Sequence, residues 1–155
     1  FEMKVFVFDP FVSKDVIENL GGIKVDSMED ACKTMDAVSL HIPLNDKTKN
    51  IINYDLLKTM KNNCIIINAA RGGIVNEVDL DKALNEGLIF GAGLDVFETE
   101  PPDPNNPLLK NDKVFLSPHT AAFTEECMTR MGKETIQNII DFFDEKLEKS
   151  KIVKL

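Results

Sequence analysis

An imidazole, a guanidinium and a carboxylate, each close to the end of an apolar run, are the side chains here best suited to chemistry. His119 lies in Leu-Ser-Pro-His-Thr-Ala-Ala (116–122). An imidazole titrates near neutral pH, so it can give or take the proton that accompanies a hydride transfer. The plainer reading is a helix-entry histidine bonded to local backbone. Arg71 follows Ile-Asn-Ala-Ala and precedes Gly72-Gly73. Glycines let backbone or ligand approach closely, and a guanidinium there can hold a carboxylate through two parallel hydrogen bonds. Sixteen lysines stand beside only Arg71 and Arg130, and lysine cannot make that grip. The plainer role for Arg71 is to pair with helix-cap groups or a surface acid. Glu100 sits in Phe-Glu-Thr-Glu-Pro-Pro (97–102). A carboxylate held against an imidazole favours the protonated ring and orients it. Taken singly, Glu98 and Glu100 read as solvated loop acids.

Three further residues sit at comparable places. Asp9 closes Lys-Val-Phe-Val-Phe-Asp (4–9), just before Pro10. An acid ending such a strand can hydrogen-bond the two ribose hydroxyls of NAD and would repel the extra phosphate of NADP. It can equally be a turn-forming Asp. His41, in Leu-His-Ile-Pro (40–43), can edge a flat ligand such as adenine or be a structural strand-end histidine. Asp95 can face a nicotinamide ribose or carboxamide, or cap a turn.

The elements that must position these residues are legible in the hydrophobic pattern. Apolar runs predict strands at 4–9, 23–25, 36–41, 64–69, within 89–96, and at 114–116. The run 64–69 is continuously apolar, as central parallel strands are. Amphipathic stretches predict helices at 13–20, 27–35, 53–60, 76–86 and 124–147. Two of them start with capping-box-like patterns, Ser27-x-x-Asp30 and Asn76-x-x-Asp79. Strand and helix in alternation mean an α/β fold, a doubly wound parallel sheet with helices on both faces. Ligands of such sheets bind beyond the carboxyl ends of the strands. Asp9, His41, Ala70-Arg71-Gly72-Gly73, Asp95 and Ser117-Pro118-His119 all fall at or just after those ends.

Composition bounds the function. A chain of 155 residues is expected to form one domain, large enough to bury a core without disulfide or metal. Its net charge of −8 argues against nucleic-acid or anionic-membrane partners, which call for a basic face. No apolar run approaches the length of a membrane span, and no signal peptide is expected. Cys32, Cys64 and Cys127 are odd in number and far apart, so neither disulfides nor zinc is expected, and a reducing, cytoplasmic setting fits.

In order along the chain, the motifs are Val-Phe-Asp-Pro (7–10), Ser-Leu-His-Ile-Pro-Leu (39–44), Ile-Ile-Asn-Ala-Ala-Arg-Gly-Gly (66–73), Gly-Leu-Asp-Val-Phe-Glu-Thr-Glu-Pro-Pro (93–102) and Ser-Pro-His-Thr-Ala-Ala (117–122). With these motifs the chain resembles the D-isomer-specific 2-hydroxyacid dehydrogenases, the phosphoglycerate dehydrogenase branch being among the nearest relatives. The resemblance implies a Rossmann-like domain, incomplete at its N-terminus, with NAD as cofactor and no metal. It implies hydride transfer between NAD(H) and C2 of a D-2-hydroxy or 2-oxo acid. His119 is then the general acid/base, and Glu100 its partner, keeping it protonated over a wider pH range. Arg71 holds the substrate carboxylate and polarises its carbonyl. Asp9 and Pro10 meet the adenosine ribose, and His41, Ile42 and Pro43 line the adenine side. Ala69, Ala70 and Arg71, with Asp95, His119 and Ala121, contact the cofactor. A homodimer is implied, with a small 2-hydroxy or 2-oxo acid as substrate.

The resemblance also carries departures. Gly21-Gly22 and Gly91-x-Gly93 do not fit the strand–loop–helix context of a phosphate-binding glycine loop. The family pattern places that loop about ten residues before Phe1. It also places a substrate domain outside the sequence, with 1–148 forming the cofactor domain and 149–155 returning toward the substrate domain. The chain alone is expected to bind NAD poorly and to be inactive. Thr120-Ala121-Ala122-Phe123 departs from the glycine-containing stretch common in phosphoglycerate dehydrogenases, which counts against 3-phosphoglycerate but keeps it a candidate beside glyoxylate, hydroxypyruvate and lactate-like acids. Glu100 sets the chain apart from the formate dehydrogenases, which carry Gln there. An NAD(H)-sensing corepressor of the same superfamily is the alternative from another functional class.

Overall fold

The computed structural model describes residues 2–152 and divides them into two compact units, one ending at Pro118 and the other starting at His119. The first unit alternates strand and helix: β1 (Phe6–Val7), α1 (Lys14–Asn19), β2 (Ile23–Lys24), α2 (Met28–Cys32), β3 (Ala37–Leu40), α3 (Tyr54–Leu57), β4 (Ile65–Asn68), α4 (Glu77–Asn85), β5 (Gly91–Leu94) and β6 (Val114–Leu116). A 3-10 turn, Pro107–Lys110, precedes β6. The second unit holds α5 (Glu125–Phe143) and a short 3-10 turn at Lys149–Lys151. Part of the expected returning segment, residues 153–155, lies outside the described residues, as does Phe1.

Every strand pairing is parallel, as the alternation predicts. The strands form two sheets rather than one: β1 pairs with β2, and β3-β4-β5-β6 form the larger sheet in chain order. The predicted strand 4–9 narrows to Phe6–Val7, because only that stretch finds ladder partners, in Ile23 and Lys24. In the larger sheet Leu40, Asn68, Leu94 and Leu116 stand in register, closing their strands at one level.

The two faces of that sheet differ. Val38, Ile66, Ala92 and Val114 share a register row on the face turned to the core, where Ile52, Leu57, Ile74, Leu80, Leu84 and Ile89 are buried. Ser39, Ile67, Gly93 and Phe115 form the adjacent row, which points the other way because side chains alternate along a strand. Ile67 is 37% and Phe115 77% exposed. The continuous apolar run at 64–69 predicts burial on both faces; within the first unit one face of β4 lacks that cover.

The helix starts follow local chemistry. Ser27, Asn53, Asn76 and Thr124 each accept a backbone N–H three residues on, from Asp30, Leu56, Asp79 and Cys127. The predicted caps at Ser27 and Asn76 are therefore made. Asp79 also accepts the Tyr54 N–H at 3.0 Å, joining α4 to the start of α3. The glycines set aside as a phosphate loop serve the frame instead. Gly21 turns the chain between α1 and β2 with φ +84°. A Cβ on Gly91 would stand 2.9 Å from the Lys113 carbonyl, and one on Gly93 3.1 Å from the Ile67 side chain.

Burial pushes the Cys32 thiol up to about 11 and also raises that of Cys64, so both stay protonated and unreactive near neutral pH. Among the described residues no helix is long and apolar enough to cross a membrane, and no group of three acidic, His or Cys side chains is placed to hold a metal.

Candidate active site

The common level of Leu40, Asn68, Leu94 and Leu116 sets the rim. Immediately beyond it come His41, Ala69, Asp95 and Ser117, four residues brought to one edge by register alone. His41 is exposed, and its Nε2 lies 2.8 Å from the Ser39 hydroxyl. Ile42 packs partly against the core, and the Pro43 carbonyl accepts the Thr48 hydroxyl at 2.6 Å.

At the end of β4 the chain turns through Ala69-Ala70-Arg71, and the turn is organised by Asn68. Its side chain is 2% exposed. Its Oδ1 accepts the Ala70 N–H at 3.1 Å, and its Nδ2 donates to the Arg71 carbonyl at 2.9 Å. A buried amide with both ends paired fixes the backbone from which Arg71 extends. Arg71 itself is exposed, with Nη1 donating to the Ala70 carbonyl at 2.6 Å. Asn68 is a positioning residue that sequence reasoning missed. Its signal was there: a polar residue closing Ile-Ile-Ile at the buried end of a strand.

Gly72 couples this turn to the next loop. A Cβ there would lie 1.7 Å from the Phe97 carbonyl oxygen, so the two backbones touch where only glycine fits. Gly73 follows with φ +79°, a conformation glycine adopts readily.

Asp95, directly after β5, is only 6% exposed. Its N–H donates to the Asn68 carbonyl at 2.9 Å, and its Oδ1 accepts the Ser117 hydroxyl at 2.6 Å. A buried carboxylate held in this way, at the rim of β5, links the ends of β4, β5 and β6. Glu100 is exposed, its Oε1 accepting the Phe97 N–H at 3.1 Å.

In the smaller sheet, Asp9 lies two residues beyond β1. Its Oδ1 accepts the N–H groups of Phe11 (2.8 Å) and Val12 (3.2 Å), so the turn-forming reading is realised. Lys24 donates to the Asp9 and Val12 carbonyls, both at 2.7 Å, and clamps the same turn. Pro10 stands within that turn. In the second unit, His119 has φ +54°, a left-handed backbone uncommon for residues other than glycine. Thr120 to Thr124 then tighten toward α5 through the bonds Phe123 N–H to Thr120 and Thr124 N–H to Ala122, with Ala121 inside that turn.

Ligands of parallel α/β sheets bind at rims of this kind, and Rossmann-like dinucleotide-binding domains are one class built so. The sequence narrows the class. Residues 1–121 match the family described as D-isomer specific 2-hydroxyacid dehydrogenase, NAD binding domain, and the chain belongs to that family. It is 44% identical over 139 residues to D-3-phosphoglycerate dehydrogenase of Methanocaldococcus jannaschii, covering 90% of this chain and 26% of that protein. It is 40% identical over 142 residues to glyoxylate reductase of Korarchaeum cryptofilum, covering 92% of this chain and 42% of that protein. Its fold is similar, with TM-score 0.85 and 30% identity, to a D-isomer specific 2-hydroxyacid dehydrogenase from Lactobacillus delbrueckii ssp. bulgaricus in its NAD complexed form. That match covers 97% of this chain and 48% of the other, so the chain spans less than half the length of each of these relatives.

Proposed function

We propose that this chain is the cofactor-binding part of an NAD-dependent D-2-hydroxyacid dehydrogenase. The observation that carries the reading is the in-register rim, where the Arg71 turn and the buried Asp95 follow adjacent strands. The donor set fits a dinucleotide. A carboxylate stands at the end of β1, two small residues (Ala69 and Ala70) follow β4, and a held carboxylate follows β5.

Bound NADH supplies the hydride for the carbonyl carbon of a 2-oxo acid. Arg71 grips the substrate carboxylate and offsets the negative charge that develops on the C2 oxygen, the kind of fixed electrostatic help that often dominates catalysis. The protonated His119 imidazole gives its proton to that oxygen. Glu100 is the acid we assign to orient that ring. Asp9 accepts the ribose hydroxyls and disfavours the extra phosphate of NADP. His41, Ile42 and Pro43 line the adenine side, and Pro10 and Ala121 complete the cofactor contacts. The substrate is a small 2-oxo or 2-hydroxy acid, with glyoxylate, hydroxypyruvate, phosphorylated hydroxypyruvate and lactate-like acids as the candidates.

The test is NADH oxidation by the intact protein against those acids in parallel, with His119→Gln and Arg71→Lys as controls. Turnover with one acid, a kcat about 100-fold lower in His119→Gln and a KM raised about tenfold in Arg71→Lys are expected. Tight NADH binding with no turnover on any acid would replace the reading with an NAD(H) sensor. Equal use of NADPH would remove the assignment of Asp9.

A further inference from the structure

Glu77 opens α4, and the proposed reaction assigns it no chemistry. Its carboxylate nevertheless ties α4 to the loop that carries Glu100. One oxygen, Oε1, accepts the Glu98 N–H at 2.6 Å. The other, Oε2, accepts the Asn106 side-chain amide at 2.6 Å. Glu98 stands at the entry of the loop and Asn106 at its exit, where Asn106 Oδ1 also accepts the Leu108 N–H at 3.0 Å and caps the 3-10 turn. A single side chain therefore holds both ends of residues 98–106. Just before that span the Phe97 N–H donates to Glu100 Oε1, so the carboxylate is pinned to the entry that Glu77 holds. Gly72 packs on the same entry, against the Phe97 carbonyl and the Glu98 nitrogen.

Neither the helix dipole nor a surface ion pair accounts for this tie. An acid in the first turn of a helix complements the dipole, but that role needs no partner in a loop 21 residues away. The Lys49–Glu98 ion pair, at 3.5 Å with both side chains more than half exposed, is too solvated to hold the loop. Hydrogen bonds to an ionised acceptor are roughly twice as strong as neutral ones, and Glu77 makes two.

We infer that Glu77 is the positioning residue for Glu100, fixing residues 98–106 so that the Glu100 carboxylate is presented at one place. The inference rests on the reading of Glu100 as the partner of His119. Glutamine at 77 retains one acceptor, for the Glu98 N–H, but turns a donor toward the Asn106 amide. Alanine retains neither bond.

The experiment follows the pH profile of the His119 imidazole signal by NMR in the full chain, which needs no turnover. The chain has only two histidines, His41 and His119, so single replacements assign the signals. Wild type, E77A, E77Q and E100Q are compared, together with amide hydrogen exchange at Glu98. Expected are a profile moved to lower pH in E100Q, a smaller move in the same direction in E77A, and exchange at Glu98 at least about tenfold faster in E77A. E77Q should fall between wild type and E77A on both readouts. If E77A does not fold, E77Q and Asn106→Ala carry the same comparison. An E100Q shift with wild-type profiles in the Glu77 variants overturns the role of Glu77 and leaves the pairing standing. An E100Q profile that overlays wild type overturns the pairing itself, and the role of Glu77 with it.

Discussion

At the scale of the residue, Asn68 shows how a buried polar group can serve an exposed one. Its amide spends both ends on the Ala70–Arg71 turn, so Asn68→Leu keeps the branched outline of the side chain but strands an N–H and a carbonyl. A loss of about 1–3 kcal/mol in urea unfolding is expected, the usual penalty for orphaned buried groups. Under the proposed function, substrate affinity of the intact protein should fall with it, because the Arg71 backbone loses its support. Cys32 gives a pH prediction. Burial raises its thiol to about 11 in the folded chain, above the ordinary 9.0. The unfolded chain therefore loses that proton first as pH rises. The Cys32 contribution is complete below about pH 9 and is lost as pH climbs through about 11, at most about 2–3 kcal/mol. Cys32→Ala should be less stable at pH 7 yet lose less stability between those limits, as urea titrations at each pH would show.

At the scale of the element, the loops at the rim depend on contacts between backbones as much as on side chains. Gly72→Ala drives a methyl into the Phe97 carbonyl, which must separate the Arg71 turn from the Glu100 loop. A destabilisation of about 2–3 kcal/mol is expected, with the melting temperature as readout. Wild-type melting would show that the two loops are not packed as described. Helix α4 rests on a smaller feature. Asn76→Ala removes the cap on the Asp79 N–H and should cost about 1 kcal/mol in chemical unfolding.

At the scale of the whole molecule, one face of the larger sheet carries apolar side chains that the rest of the first unit leaves uncovered. Phe115 is 77% exposed, with Ile67 in register across the sheet from it. Such a surface binds hydrophobic dyes and promotes association. Phe115→Lys should lower dye binding and concentration-dependent light scattering while changing stability by less than about 0.5 kcal/mol. A large drop in melting temperature would mean that Phe115 is buried in solution. The parallel order β3-β4-β5-β6 is what brings the ends of distant strands to one rim, and no local property of the chain does this.

The pattern of residues by itself determined the class of fold, because apolar period and helix caps are local properties. The runs at 36–41, 64–69 and 114–116 contain β3, β4 and β6, and Ser27 and Asn76 cap as their spacing predicts. The motifs around Arg71, Glu100 and His119 carried the family resemblance, and the match over residues 1–121 bears it out. What was not legible is long-range. Glu77 meets partners 21 and 29 residues away, and nothing in Asn-Glu-Val-Asp distinguishes that tie from an ordinary first-turn acid. Asp9 offered two readings, and only the folded chain brings Lys24 from β2 to clamp its turn. The pairing of β1 with β2 was also a tertiary decision. Strand propensity belongs to a segment, whereas pairing depends on which edges meet, and among the described residues β1 pairs only with β2.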